Sequence, residues 1–103
     1  MNKIINEHTT ANGAIWYRLE NDMNGNPRVM THFLNLVSPD QLREADRMSA
    51  NDASASINIL EQWAKDTVRG KKYRAKWFGG GIVWQSYLND EQINNLIDGI
   101  KAN

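Results

Sequence analysis

Two stretches of the chain alternate with period two, and three repeat at helical spacing. Between Ala14 and Glu20, Ile15, Tyr17 and Leu19 fall on one side, and Trp16, Arg18 and Glu20 on the other. That pattern predicts a strand. Asn21 to Pro27, NDMNGNP, is dense in turn formers, and its Asn-Gly pair is a hairpin signal. Arg28 to Val37 reads as the return strand, apolar on both faces like a central strand covered on both sides. Further on, Tyr73, Ala75 and Trp77 alternate with Lys72, Arg74 and Lys76, and Ile82 to Tyr87 is rich in β-branched and aromatic residues. Gly79, Gly80 and Gly81 lie between these two runs and read as the turn or bulge of a second hairpin.

Helices fill the remainder. Ser38-Pro39-Asp40-Gln41 has the make-up of a capping box with proline at the first helical position. Leu42, Ala45 and Met48 follow at helical spacing. Asn51 or Asp52 caps a second helix to about Val68, with Ile57, Leu60, Ala64 and Val68 on its inner face; the pattern leaves open whether Ser49 to Ser54 breaks or bends the helical run. Lys65 and Arg69 in its last turn suit the dipole, and Gly70 suits the C′ position. Asn89 caps a final helix whose apolar stripe is Ile93, Leu96, Ile97 and Ile100, with Leu88 stapled to Ile93. The expected fold is α+β, in the order β-β-α-α-β-β-α, an antiparallel sheet of two hairpins with helices on one face. Residues 1–103 make one domain, and 1–12 read as a flexible arm or, through Ile4 and Ile5, a short edge strand.

Charge changes the picture at one place. The formal net charge is zero, which argues against a general polyanion binder and against an acidic DNA mimic. The charge is nevertheless segregated. Arg69, Lys71, Lys72, Arg74 and Lys76 are five of the twelve basic residues, and no acid lies between Arg69 and Tyr87. Two roles fit this stretch. One is a solvated strand edge on which lysines discourage pairing. The other is a binding face for an acidic protein surface or for nucleic acid, with Trp77 and Phe78 alongside for stacking. Arg28 joins that face if the two hairpins pack together.

Other chemistry is thin. With no cysteine, disulfides, thiol catalysis and cysteine metal sites are excluded. His8 falls in the arm and His32 in mid-strand, with no further ligands at metal spacing. No G-x-S-x-G elbow occurs, and the glycine run lacks both the P-loop lysine and the helix that a dinucleotide fingerprint opens. Glu20, Asp22 and Glu44 form no recognisable carboxylate motif. The sequence thus points to a non-enzymatic protein without cofactor or metal. The N-terminus has no signal-peptide core, and no apolar run reaches the roughly 20 residues of a membrane span. A cytoplasmic setting and no membrane partner are expected.

NGNPR at Asn24 to Arg28, HFLNL at His32 to Leu36 and KYRAKWFGGGIVWQSYLN at Lys72 to Asn89 resemble segments of small uncharacterised proteins of bacteriophages, prophages and conjugative elements. Leu88 stands where members of that group often carry asparagine. The resemblance implies a mobile-element origin and no particular chemistry. Together with the basic stretch it leads to the expectation of a small binding protein. Its partner is a host protein or nucleoprotein complex, such as an anti-phage defence complex that it inhibits or modulates. The alternatives are a nucleic-acid accessory protein using residues 69–87 and, last, an enzyme.

Overall fold

A computed structural model describes residues 3–69 and 74–102, apart from the side chain of Arg69. Five strands form one antiparallel sheet, β1 Ile4–Thr9, β2 Ile15–Leu19, β3 Arg28–His32, β4 Ala75–Phe78 and β5 Gly81–Gln85, in the spatial order β1-β2-β3-β5-β4. The helices are α1 Pro39–Met48, α2 Ala53–Arg69 and α3 Asp90–Lys101. The α+β class and the one-sided helical layer match the sequence reading. The order differs by an added first strand and by a 3-10 turn at Phe33–Leu36.

That 3-10 turn explains the misread return strand. Met30, Arg28 and His32 point to one side and Val29 and Thr31 to the other, as in any strand. The chain then coils at Phe33, where His32 Nδ1 accepts from Leu34 N at 3.2 Å. Phe33, Leu36 and Val37 are buried from within the turn, so the apolar run is continuous without being strand throughout. β3 is the central strand of the sheet, and no helix packs on its Arg28-Met30-His32 side among the described residues.

The core lies on the other side. Trp16, Val29, Ile82 and Trp84 meet Leu60, Ala64 and Val68 of α2 and Ile93 and Ile97 of α3. Each fully buried valine, leucine or isoleucine among them contributes roughly 1.5–3 kcal/mol through removal from water. The helix ends are specified locally. Ser38 with Gln41, and Asn89 with Gln92, form complete reciprocal capping boxes. Asp52 caps α2, its Oδ1 accepting from Ala55 N at 3.1 Å. Between α1 and α2 the chain breaks: Ala50 and Asn51 take the left-handed conformation, φ 52° and 66°. Ile57 is 45% exposed, and Ser56 takes the inner position expected of it, because Ser56, Leu60, Ala64 and Val68 form one i, i+4 row, and Ser56 Oγ donates to Asp46 Oδ1 at 2.9 Å.

At the N-terminus, residues 4–9 are held by β2 along the full strand, with a bulge between Ile4 and Asn6. His8, expected in a loose arm, stacks on Trp16 at 4.1 Å, and its Nε2 lies 3.5 Å from Asp90 Oδ2. Arg18 joins the same cluster, donating to Asp90 Oδ1 at 3.0 Å and to Leu88 O at 2.8 Å.

Candidate functional site

The side of the sheet without helices is built by strand parity. Register pairs Tyr17 with Met30, Met30 with Val83, and Val83 with Lys76, so these four form a row across β2, β3, β5 and β4. A second row joins Arg28 to Gln85. The turn from Glu20 to Pro27 folds back onto this end. Asp22 Oδ1 accepts from Asn24 N and Asn26 N, each at 2.9 Å, and Oδ2 from Asn26 Nδ2 at 3.3 Å and Gln85 Nε2 at 2.7 Å. Gly25 adopts φ 80°, the conformation that an Asn-Gly turn supplies most cheaply. The Asn26 backbone donor above all, then the other donors around Asp22, holds its carboxyl below the usual aspartate value.

A recess opens between this turn and the second hairpin. Asp22, Arg28, Arg74, Lys76, Phe78 and Gln85 line it. Three cations therefore converge with one carboxylate whose oxygens are already occupied by amide donors. Arg28 Nε is fixed by Glu20 O at 3.0 Å. Arg74 and Lys76 are exposed, and Phe78 is 63% exposed at the hairpin tip.

Of the residues singled out from sequence, the fold thus gathers Arg28, Arg74, Lys76 and Phe78. It turns Trp77 away. Trp77 lies on the helix side, edge-on to Phe33 at 5.3 Å, with Lys65 Nζ 5.9 Å from its ring centroid. Lys71 and Lys72, like Gly70 and Tyr73, lie outside the described residues, as does the Arg69 side chain. Val83 and Gln85 were not among the sequence candidates, and Asp22 was weighed only as a carboxylate beside Glu20 and Glu44; its place in the recess carries a local signal, an aspartate two residues before Asn24 that suits an Asx turn. The turn glycines divide as well. Positive φ belongs to Gly79 alone, at 61°, and not to Gly80 or Gly81. That suits a two-residue type II′ turn between the paired Phe78 and Gly81.

Other candidates disperse. Glu20 pairs with Lys3 at 3.9 Å, Glu44 with Arg47, and Asp22 with amides, so the three carboxylates have three separate sets of partners. Among the described residues no cluster of three histidine, aspartate or glutamate side chains has metal-binding geometry, and no helix is long and apolar enough to cross a membrane.

Residues 8–103 match the family model of the Staphylococcus phage terminal repeat-encoded protein TreK. The chain belongs to that family. The TreK match takes in the described recess and the β1–β2, β2–β3 and β4–β5 turns, while β1 starts ahead of it. No curated protein and no solved structure matches the chain.

Proposed function

We propose that this TreK-family chain is a small non-enzymatic phage protein that binds a host protein complex and modulates it, through the recess at the second hairpin. One observation carries the reading: Arg28, Arg74, Lys76 and Phe78 converge on the side of the sheet that no described helix covers. Exposed apolar surface beside a basic rim is the make-up of an interface with an acidic partner, where the aromatic supplies area and the charges supply register and encounter rate. The zero net charge favours a protein partner over nucleic acid, because the basic surface is local. Inhibition of an anti-phage defence complex is the form of modulation that a phage origin favours. The setting is then the host cytoplasm, with no cofactor.

The test is capture from staphylococcal lysate, with and without nuclease, by the native chain and by the double variant Arg74→Glu, Lys76→Glu. Both side chains are exposed, so the variant keeps its fold by circular dichroism. Loss of a nuclease-resistant protein partner from the folded variant is the expected result. Equal capture by both chains overturns the reading. Capture that nuclease abolishes, with binding that falls steeply as salt rises, replaces it with nucleic-acid binding.

A further inference from the structure

Resting on that reading, we infer that β4 receives an extended, acidic segment of the partner protein as a sixth strand of the sheet. β4 is an edge of the sheet, next to β5 alone. Gln85 N donates to Arg74 O at 3.2 Å. Backbone groups alternate along an antiparallel ladder, so Arg74, Lys76 and Phe78 face β5, and the N–H and C=O groups of Ala75 and Trp77 face outward. Among the described residues nothing pairs with those outward groups. They are a template for strand addition, the mode in which main-chain bonds give affinity and alternate side chains give specificity.

Charge selects what is added. Arg74 and Lys76 share the recess side of β4, about 7 Å apart at roughly 3.3 Å per strand residue. An added strand has the same spacing and lies about 4.8 Å away. Its alternate residues thus fall opposite Arg74 and Lys76, where carboxylates complement them. The residues between fall on the side of Trp77 and Phe33, where apolar side chains are matched. The segment that fits alternates acidic and apolar residues. A nucleic acid's phosphates meet the cations and can accept from the two amides, but they have no donor for the carbonyls of Ala75 and Trp77, which an added strand supplies. The opposite edge, β1, is the poorer template for such a segment: between Ile4 and Thr9 it carries Glu7 and no lysine or arginine.

The probe is a blocked peptide of alternating glutamate and valine, with its lysine–valine counterpart and single-stranded DNA as controls. Amide hydrogen exchange on the native chain is expected to slow at Ala75 and Trp77 with the acidic peptide alone. Ala75→Pro removes one outward N–H and fits an edge strand, since the ladder to β5 does not use that donor. This variant is expected to lose both the peptide and the lysate partner, with the β5 amides unchanged. If Ala75→Pro retains the partner while Arg74→Glu, Lys76→Glu loses it, strand addition is overturned and the recess reading stands. If both variants retain the partner, both inferences fall. Should Ala75→Pro fail to fold, the native chain decides: peptide binding without protection at Ala75 and Trp77, or binding of the DNA in place of the peptide, overturns strand addition.

Discussion

Gln85 Nε2 donates to Asp22 Oδ2 at 2.7 Å, across 63 residues of chain. The first hairpin's turn is thereby locked to the outer hairpin's second strand, and two further contacts secure the join. Ser86 N donates to Pro27 O at 3.0 Å, and Tyr87 Oη donates to Asn26 Oδ1. Asp22 orders its own turn and places that turn as one wall of the recess. Asp22→Ala removes the acceptor for four donors at once. Lower stability and weaker partner capture are expected together, with a reduced melting temperature as the first measurement. An unchanged melting temperature would show that the turn stands without the carboxylate.

Acid tests the same carboxylate. Asp22 is held below its usual value of 3.8, chiefly by the Asn26 amide. Asp98 is held below 3.8 chiefly by the Thr10 hydroxyl, and also by the amides of Asn12 and Ala11, which tie the β1–β2 turn to α3. A depressed folded value stabilises the fold at pH above the unfolded value, and that stability is lost as pH falls through the folded one. Unfolding should therefore ease progressively below pH 3.8. Asp22→Asn and Asp98→Asn should each flatten that acid limb of a denaturation midpoint plotted against pH. An acid limb as steep in the double Asn variant as in the native chain would assign it to other carboxylates.

The second turn gives a position-specific expectation. Gly79→Val forces a β-branched residue to φ 61°, a strain of about 1–3 kcal/mol. Gly80→Val should cost less, because φ is not positive there and the added Cβ meets only the exposed His32 ring, at 3.3 Å. Chemical denaturation of the two variants ranks them, and the reverse ranking would contradict the turn geometry.

A stabilising change is expected between α1 and α2. Ala50 stands at φ 52°, where an L-residue with a Cβ is strained and glycine is not. Ala50→Gly should raise stability by about 1 kcal/mol less the extra entropy of an unfolded glycine. Thermal unfolding reports the sign, and a lowered melting temperature would count against the left-handed break.

What was legible in the sequence follows from how local each determinant is. The Ser38 capping box, the Asn89 cap, the Asn-Gly turn and the α3 stripe are written within a few residues, and all are present in the fold; the reciprocal bond to Gln92 that completes a second box went unread. Val29 was legible as strand, but Phe33 was legible only as apolar and not as the start of a 3-10 turn, because burial looks the same in both. β1 was only partly legible: Ile4 and Ile5 gave the hint, while Asn6, Glu7 and Thr9 are polar and exposed, and their strand conformation depends on β2. The recess was half legible. The cations stood out as a charge run, but Gln85 and Asp22 acquire meaning only when β3 pairs with β5, and that pairing is non-local. Alternation did separate Lys76 from Trp77, although both were grouped in one surface.

That separation supplies the last prediction. Trp77 and Phe78 are adjacent, aromatic and partly exposed, yet they point to opposite sides of β4. Trp77 packs on Phe33, and Phe33 is buried against the core. Trp77→Ala should therefore destabilise the domain, by about 1–3 kcal/mol for a half-exposed aromatic that loses its packing. Phe78 is 63% exposed at the mouth of the recess, so Phe78→Ala should change stability by no more than about 0.5 kcal/mol. Its effect should appear instead in capture of the partner, as a faster dissociation that added salt does not correct, since the lost term is apolar contact. Urea unfolding and dissociation kinetics on the same two variants separate the roles. If Phe78→Ala unfolds as readily as Trp77→Ala while releasing the partner no faster than the native chain, the hairpin tip supports the fold and the recess loses its aromatic anchor.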